Sequence, residues 1–322
     1  IGAGAIAALH LEAYRQAGLN ITAIFDPDEE RARSRRDSFY PEARVAKTID
    51  EIWQDDAIEV VDIATHPEAR VALVFDAIEH GRHVLSQKPF VLDLDVGEEM
   101  LARAEAKGVK LAVNQNGRWA PHLAWMREAV AENLIGDVGS IHCAVHWDHN
   151  WVVGTTFDKI EDLVLYDFAI HWFDFICSLA GSRVRRVMAT TARASYQVAH
   201  PPLLAQASIE LEQGQATLVF DGSTRNGAHD ATFVGGEKGS LRSSGPDLQN
   251  QRIVAATDQG VGSPDLVGTW FREGFLGTMT ELLASVEAGR EPRNGARDNL
   301  KSLELCFAAI RSARCGLPVD VG

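Results

Sequence analysis

The stretch Gly2-Ala3-Gly4-Ala5-Ile6-Ala7 follows the pattern G-x-G-x-x-A and leads into a helix-forming run over residues 8–17. Its glycines permit a tight turn and let a pyrophosphate approach the N-terminus of the helix. The pattern therefore predicts a dinucleotide-binding turn in which Gly2, Gly4, Ala5 and Ile6 contact the cofactor. A turn of small residues that leads into a buried helix, without any ligand, would have the same sequence pattern, so the prediction depends on the residues that follow.

The next apolar segment ends in an acidic residue. Residues 21–25, Ile-Thr-Ala-Ile-Phe, form a predicted buried strand, and Asp26 follows it, 24 positions after Gly2. A dinucleotide-binding fold places its ribose-binding carboxylate at this point, so we expect Asp26 to accept hydrogen bonds from the ribose hydroxyls. Because a carboxylate repels a 2′-phosphate, Asp26 favours NAD over NADP. The alternative is that Asp26-Pro27-Asp28 only caps the following helix.

Strands and helices then alternate along the first third of the chain. The predicted strands cover residues 60–64, 83–86 and 110–113, and the predicted helices cover residues 68–80 and 94–107. This alternation predicts a parallel, doubly wound sheet, in which ligands bind at the carboxyl ends of the strands. Those ends add Thr65, His66, Pro67, Lys88 and Asn116 to the expected cofactor site.

After residue 117 the pattern changes to successive strands separated by turn residues. The predicted strands cover residues 140–147, 184–191, 205–211, 215–220, 231–234 and 239–242, and the predicted helices cover residues 121–132, 167–179 (ended by Gly181), 270–287 and 296–312. Tight turns between strands indicate an antiparallel sheet. We therefore predict an N-terminal Rossmann domain over residues 1–117, with its first strand truncated. Residues 118–322 are predicted to form an α+β substrate and oligomerisation domain, with a large, mostly antiparallel sheet, flanking helices and closing C-terminal helices.

Three polar residues in the predicted helix 167–179 share one face. Asp167 and His171 are four residues apart, and Asp174 is three further on, in a segment that is otherwise aromatic and aliphatic. A carboxylate and an imidazole on one apolar face suit proton transfer at a hydroxyl, and the strand-end Lys88 could assist. We expect Lys88, Asp167 and His171 to be catalytic and Asp174 to be structural. The alternative is an amphipathic core helix with one hydrogen-bonded histidine.

A second polar and aromatic segment, residues 146–151, suits the wall of a sugar or polyol pocket. The expected substrate-binding residues are Lys88, Arg118, Trp119, Trp147, His149, Asn150, Asp167 and His171. Three histidines near this segment raise the possibility of a metal site. However, His142 and His146, four apart on a strand, are about 13 Å from each other, which is too far to chelate one ion. We therefore expect no metal.

Composition excludes several classes of function. Asp and Glu total 45 against 31 Lys and Arg, a net charge of -14, with no basic block of the kind that binds nucleic acid. No apolar run approaches the ~20 residues of a membrane span. The four cysteines are dispersed without a CxxC pair, which favours a reducing, cytoplasmic setting. The expected partner is a small molecule.

Taken together, these residues resemble the glucose–fructose oxidoreductase / inositol dehydrogenase / MocA family over nearly the whole chain. The similar features are Gly2-x-Gly4 with His10, Gln87-Lys88-Pro89 for the Glu-Lys-Pro signature, Asp167-x-x-x-His171-x-x-Asp174, and the hairpin turn over residues 235–239. Three departures affect the cofactor loop: Ala7 stands at the third glycine position, Thr65-His66-Pro67 replaces a Thr-Pro motif, and Arg70 stands where a histidine is common. A fourth departure, Gln87 for glutamate, removes a negative charge beside Lys88.

The resemblance implies hydride transfer between NAD(P) and a carbon of a sugar, an inositol or a related polyol. It implies His171 as the general base and Lys88 as a hydrogen-bond donor to the same oxygen. Asp167 would bind a neighbouring hydroxyl or orient Lys88 or His171. Two other activities stay open on this fold: glycoside cleavage with transient redox chemistry, and a non-catalytic regulator that senses dinucleotide or sugar. A large sheet with one uncovered face also predicts a homodimer or homotetramer.

Overall fold

The computed structural model describes residues 1–180 and 184–322, and the chain divides into two compact units. The first unit comprises Ile1–Trp119 and Trp270–Leu300, and the second comprises Ala120–Thr269 and Lys301–Gly322. The predicted boundary after residue 117 lies two residues from the observed break. Residues 270–300 belong to the first unit, whereas the sequence pattern assigned them to the second domain. Within the described ranges, every helix is too short or too polar to span a bilayer.

The strands of the first unit pair in parallel, which confirms the predicted Rossmann-type sheet. They form two sheets: β1 (Ala23–Ile24) with β2 (Arg44–Val45), and β3 (Val60–Ile63) with β4 (His83–Gln87) and β5 (Leu111–Asn114). Its helices up to residue 119 are α1 (Ala5–Gln16), α2 (Glu29–Phe39), α3 (Asp50–Trp53), α4 (Pro67–Glu79) and α5 (Leu94–Lys107). All four residues of β5 and four of the five in β4 are buried. Strands covered on both faces need such continuous apolar runs.

The second unit is built on a large sheet that is mostly antiparallel, as predicted. Its elements are α6 (Pro121–Ala131), β6 (Val138–His146), α7 (Ile170–Ala180), β7 (Val184–Ala192), β8 (Leu204–Leu211), β9 (Gln215–Asp221), β10 (His229–Gly236), β11 (Gly239–Gly245), β12 (Arg252–Thr257), β13 (Gly260–Gly262) and β14 (Val319–Asp320). Among the described residues the strand order is β13-β12-β11-β10-β6-β9-β8-β7-β14. The pair β6 and β9 is parallel. Along β8, buried and exposed residues alternate, so one face of the sheet covers the core.

Two details of the second unit differ from the sequence prediction. The strands β12, β13 and β14 were not predicted, because they lack a clear two-residue alternation; β13 and β14 are the edges of the described sheet, and β12 pairs with β13. The predicted helix over residues 167–179 begins later: α7 starts at Ile170, and residues Val164–Phe168 form a π-helical turn before it. Asp167 therefore lies in the π turn and not on the α-helix that carries His171. Gly181, the predicted end of this helix, lies outside the described residues.

The helix α8 (Trp270–Glu287) packs in the first unit. Its Phe275 is fully buried in an apolar cluster with Tyr14 of α1 and Leu85 of β4. The ring of Phe275 also lies 4.4 Å from that of His10. This burial explains why residues 270–300 return to the first unit, since the apolar face of α8 covers α1 and the central strands. The last helix, α9 (Ala296–Cys315), follows, and its residues up to Leu300 belong to the same unit.

Candidate functional site

The glycine turn leaves open space at the N-terminus of α1. Gly2 has φ +88°, and a Cβ at this position would lie 2.9 Å from the carbonyl oxygen of Ala64, so a larger residue would be strained and crowded. Gly4 is the N-cap of α1, and no described atom lies within 4 Å of the place where its Cβ would be. Open space therefore lies at the N-terminus of a helix, where backbone N–H groups and the helix dipole favour an anion.

Asp26 is fixed to the glycine turn at the carboxyl end of β1. It is 8% exposed, its Oδ2 accepts a hydrogen bond from Ala3 N at 2.8 Å, and its Oδ1 accepts one from Asp28 N at 2.9 Å. The N-cap of α2 is Asp28, whose side chain accepts from Arg31 N. Helix capping is therefore the role of Asp28, and Asp26 holds its carboxylate beside the turn, where a ribose-binding residue belongs.

The segment Thr65-His66-Pro67 leads from β3 into α4, with His66 as N-cap and Pro67 as the first helical residue. Arg70 of α4, 1% exposed, donates hydrogen bonds to the carbonyl oxygens of Thr65 and Pro89. The departure at Arg70 thus has a structural consequence. Its guanidinium links the loop after β3 to the loop that carries Lys88, an arrangement that sequence reasoning did not predict.

The remaining predicted residues of the first unit lie at the ends of β4 and β5. Lys88 is half-buried, and its backbone N–H donates to Oε1 of Gln87 at 2.7 Å. Asn116 is buried, and its Oδ1 accepts from Nε1 of Trp270 at 3.3 Å. Arg118 donates to the carbonyl oxygen of Arg293. Trp119 lies against the backbone of α8 at Gly277, where a Cβ would be 2.1 Å from its Cγ.

In the second unit, the predicted catalytic residues follow one another across the junction of the π turn and α7. Asp167 is buried and His171 is half-buried, and the His171 ring lies 6.3 Å from that of Trp172. Single π-helical turns are rare, and those that occur are often found at functional sites. Asp174 is 1% exposed and accepts from Arg127 at 3.0 Å and from Ser302 at 3.2 Å. These two partners account for the structural role expected of Asp174.

A cluster of aromatic rings surrounds the end of β6. Trp147 and His149 lie with their ring centroids 5.3 Å apart, and both contact Phe220 of β9 at 5.4–6.0 Å. Phe168 of the π turn is 4.5 Å from His149. Burial lowers the pKa of His149 to about 4, so its ring is neutral at physiological pH. In the part of the chain that the structure describes, Nε1 of Trp147 and Nδ1 of His149 are buried without a hydrogen-bond partner.

Asn150 has a different role in the local structure. Its Nδ2 donates to Asp148 at 2.7 Å, and its Oδ1 accepts from Val198 N at 2.9 Å and from Ala199 N at 3.3 Å. These contacts hold the segment after β7 to the end of β6. Across residues 1–180 and 184–322, no group of three His, Cys, Asp or Glu side chains has a metal-binding arrangement.

The structure thus divides the predicted site residues between the two units. The first unit holds the glycine turn, Asp26, residues 65–67, Lys88, Asn116, Arg118 and Trp119. The second unit holds Trp147, His149, Asn150, Asp167 and His171. An open glycine turn before a helix, an acidic residue after the next strand and a parallel sheet define the class of this protein, a dinucleotide-binding oxidoreductase of the Rossmann type.

Comparison with known families is consistent with that class. Residues 1–115 match the oxidoreductase family with an NAD-binding Rossmann fold, and residues 123–242 match the GFO/IDH/MocA C-terminal domain. The chain belongs to the GFO/IDH/MocA family of oxidoreductases. Its first unit is the NAD-binding domain of that family, and the open turn and Asp26 are consistent with NAD as the cofactor.

Individual relatives cover the full chain. D-apiose dehydrogenase of Paraburkholderia graminis is 28% identical over 335 residues, which cover 100% of this chain and 88% of the relative. Inositol 2-dehydrogenase of Rhizobium meliloti is 25% identical over 323 residues, which cover 97% of this chain and 95% of the relative. An Agrobacterium radiobacter oxidoreductase, solved in complex with NAD+, L-tartaric acid and magnesium, has a TM-score of 0.90 at 23% identity and covers 100% of this chain and 97% of its own. This last similarity supports the fold.

Proposed function

We propose that this chain is an NAD-dependent dehydrogenase that oxidises a CH–OH group of a sugar, an inositol or a related polyol. The observation that carries the proposal is the position of Lys88 at the carboxyl end of β4. Ligands of a doubly wound sheet bind at this edge. The backbone of Lys88 is held by Gln87 on one side, and the next carbonyl, that of Pro89, is held by Arg70 on the other. A lysine fixed in this way can present its ammonium group to a substrate beside the cofactor.

The substrate class is supported by the chemistry of the second unit. The buried N–H of Trp147 and the buried Nδ1 of His149 lack protein partners within the described ranges. The same segment combines aromatic rings with polar side chains, and this combination suits a polyhydroxylated ligand. The surrounding aromatic rings suit the apolar faces of a sugar or inositol ring. Two relatives of the chain are named for such compounds, apiose and inositol.

In the proposed reaction, bound NAD supplies the acceptor for the hydride that leaves the hydroxyl-bearing carbon. His171 takes the proton of the hydroxyl group, since imidazole changes its charge near neutral pH. Lys88 donates a hydrogen bond to the same oxygen and stabilises the negative charge that develops on it. Asp167, four residues before His171 in the chain, binds a neighbouring hydroxyl or orients Lys88 or His171. Asp26 accepts hydrogen bonds from the ribose hydroxyls of NAD.

A substrate panel tests this proposal. The purified protein would be assayed for reduced nicotinamide absorbance with NAD and with NADP, across inositols, aldoses and sugar acids. We expect reduction with one of these compounds and a preference for NAD. Protein that carries tightly bound cofactor but shows no net reduction with any compound would overturn the dehydrogenase proposal. It would favour a transient-redox activity or a regulatory role.

The role of Lys88 can be tested separately with Lys88→Met. Removing one donor that stabilises a developing oxyanion costs about 10²–10³-fold in turnover, and we expect a loss of this size with NAD affinity retained. The matched control is Lys107→Met in α5, since Lys107 forms an exposed ion pair with Glu79 and lies outside the proposed site. Turnover of Lys88→Met at the level of the Lys107→Met control would contradict the role of Lys88.

A further inference from the structure

A buried hydrogen-bond network joins α1 to the strand end that carries Lys88. His10 of α1 is 1% exposed, and its Nδ1 lies 2.7 Å from Oδ2 of Asp62 on β3. Its Nε2 lies 3.1 Å from Nε2 of Gln87 and 2.9 Å from Nδ2 of Asn114, the last residues of β4 and β5. Gln87 and Asn114 are also buried. The four side chains come from α1 and three neighbouring strands, and Gln87 contacts the backbone of Lys88.

The backbone donor of Lys88 fixes the orientation of Gln87 and, through it, the protons on His10. The backbone N–H of Lys88 can only donate, so the Gln87 atom 2.7 Å away is its carbonyl oxygen, Oε1. Gln87 therefore turns its NH₂ group toward His10, and Nε2 of His10 has to accept. The carboxylate of Asp62 accepts from Nδ1–H. His10 is thus assigned as a neutral imidazole with its proton on Nδ1, and both of its nitrogens are satisfied.

We propose that His10 is a positioning residue that fixes Lys88 through the side chain of Gln87. The proposal rests on the role of Lys88 in the proposed function. Without an acceptor at Nε2 of His10, the NH₂ group of Gln87 would be a buried donor with no partner, which is unfavourable. The amide of Gln87 would then turn or shift, and Oε1 would leave the N–H of Lys88. The backbone of Lys88 would then no longer be held in place, and the position of its ammonium group would no longer be fixed.

The same network explains why glutamine suits position 87 in this chain. A glutamate there would present an oxygen to Nε2 of His10, and His10 would need a second proton to donate to it. Because Asp62 already receives Nδ1–H, the neutral His10 pairs with an amide and not with a carboxylate. The replacement of glutamate by Gln87 is therefore consistent with a neutral, fully hydrogen-bonded His10.

His10→Phe removes the acceptor and keeps a ring against Phe275, whose centroid is 4.4 Å from that of His10. Tyr14 continues to donate to Asp62 at 2.9 Å, so the carboxylate keeps one partner. The matched control is His80→Phe. His80 is exposed at the end of α4 and stacks on Trp53 at 5.7 Å, outside the network.

The direct measurement is the backbone amide resonance of Lys88 in protein labelled with [¹⁵N]lysine. The chain has seven lysines, and the Lys88 signal is identified by its loss in Lys88→Met. We expect the Lys88 signal to move upfield in His10→Phe, as a lost hydrogen bond requires, and to stay in place in His80→Phe. His10→Gln, whose side-chain oxygen can take the place of Nε2, should keep the signal in place. An unchanged Lys88 signal in folded His10→Phe would overturn the proposal.

Kinetics with the substrate found in the panel supply the second measurement. A displaced reacting group costs up to about 10²-fold, so we expect kcat of His10→Phe to fall by about 10–100-fold while NAD affinity is retained. In the Lys88→Met background, His10→Phe should cause no further loss, because His10 acts through Lys88. An equal loss in both backgrounds would show a general structural defect and overturn the positioning role.

Two further outcomes are distinguishable. If His10→Phe does not fold, Gln87→Leu takes its place, because it removes the acceptor of the Lys88 N–H directly. We then expect the same upfield shift of the Lys88 amide resonance and the same loss in kcat. The absence of both effects would overturn the proposal. If Lys88→Met retains full turnover, the proposed function of Lys88 fails. The amide resonance then still decides whether His10 fixes the backbone at position 88.

Discussion

Replacing Asp230 by asparagine should stabilise the protein at pH 8 relative to wild type, and far less at pH 5. Asp230 lies on β10 between Val145 of β6 and Gly245 of β11. Its side chain is 0% exposed, and in the described part of the chain neither carboxylate oxygen has a hydrogen-bond partner. Burial raises the pKa of Asp230 to about 7, and repulsion by Asp247 contributes. At pH values between 3.8 and about 7, the folded protein therefore keeps a proton on Asp230 that the unfolded chain has already released.

The sign and size of the effect follow from the difference between the two states. An unfolded aspartate has a pKa of 3.8, and Asp230 in the folded protein has a pKa of about 7. Between these values the unfolded state binds fewer protons, so the free energy of unfolding falls as the pH rises and levels off above about pH 7. At about 1.4 kcal/mol for each pKa unit, wild type should lose about 2.5 kcal/mol between pH 5 and pH 8. Asp230→Asn has no proton to release and should not show this loss.

The assay is urea unfolding of wild type and Asp230→Asn at several pH values from 5 to 8, followed by far-UV circular dichroism. The quantity to compare is the difference in free energy of unfolding between the two proteins, which cancels the titration of all other groups. Asp258→Asn, at an exposed position in the turn between β12 and β13, is the control. Its difference from wild type should stay constant. A constant difference for Asp230→Asn as well would refute the reasoning and show that the Asp230 carboxylate is charged and partnered when folded.

Two further predictions concern the first unit. In Asp26→Ser, the ratio of kcat/KM for NADP to that for NAD should rise by about tenfold or more, which is equivalent to about 1.4 kcal/mol. The reason is that the guanidinium of Arg31 lies 3.8 Å from Oδ1 of Asp26 and, without this carboxylate, would be left to bind a 2′-phosphate. An unchanged ratio would mean that Asp26 does not bind the ribose. Gly277→Ala would place a Cβ 2.1 Å from Cγ of Trp119, and we expect it to lower the free energy of unfolding by about 1–3 kcal/mol, measured by urea denaturation. Gly262→Ala, with no described atom within 4 Å of the added Cβ, should leave stability nearly unchanged, and equal stabilities of the two variants would contradict the packing argument.

Several features of this protein were determined by the sequence alone. The alternation of strands and helices predicted the parallel sheet, and successive strands with tight turns predicted the antiparallel one. The bounds of the helix over residues 270–287 agree with the structure at both ends. The glycine turn and Asp26 were also located from the sequence. These features depend on the order of neighbouring residues, because periodicity, turn formation and helix capping are local properties.

Other features were decided only by the tertiary structure. The network of His10, Asp62, Gln87 and Asn114 joins residues up to 104 positions apart. No local pattern indicates that these side chains meet. The enclosure of Asp230 depends likewise on the strands that pair on either side of it. The return of α8 to the first unit depends on which apolar surface its buried face covers. A sequence pattern shows that a face is apolar or that a side chain is polar, but the partner of that face or side chain is fixed only when distant segments pack together.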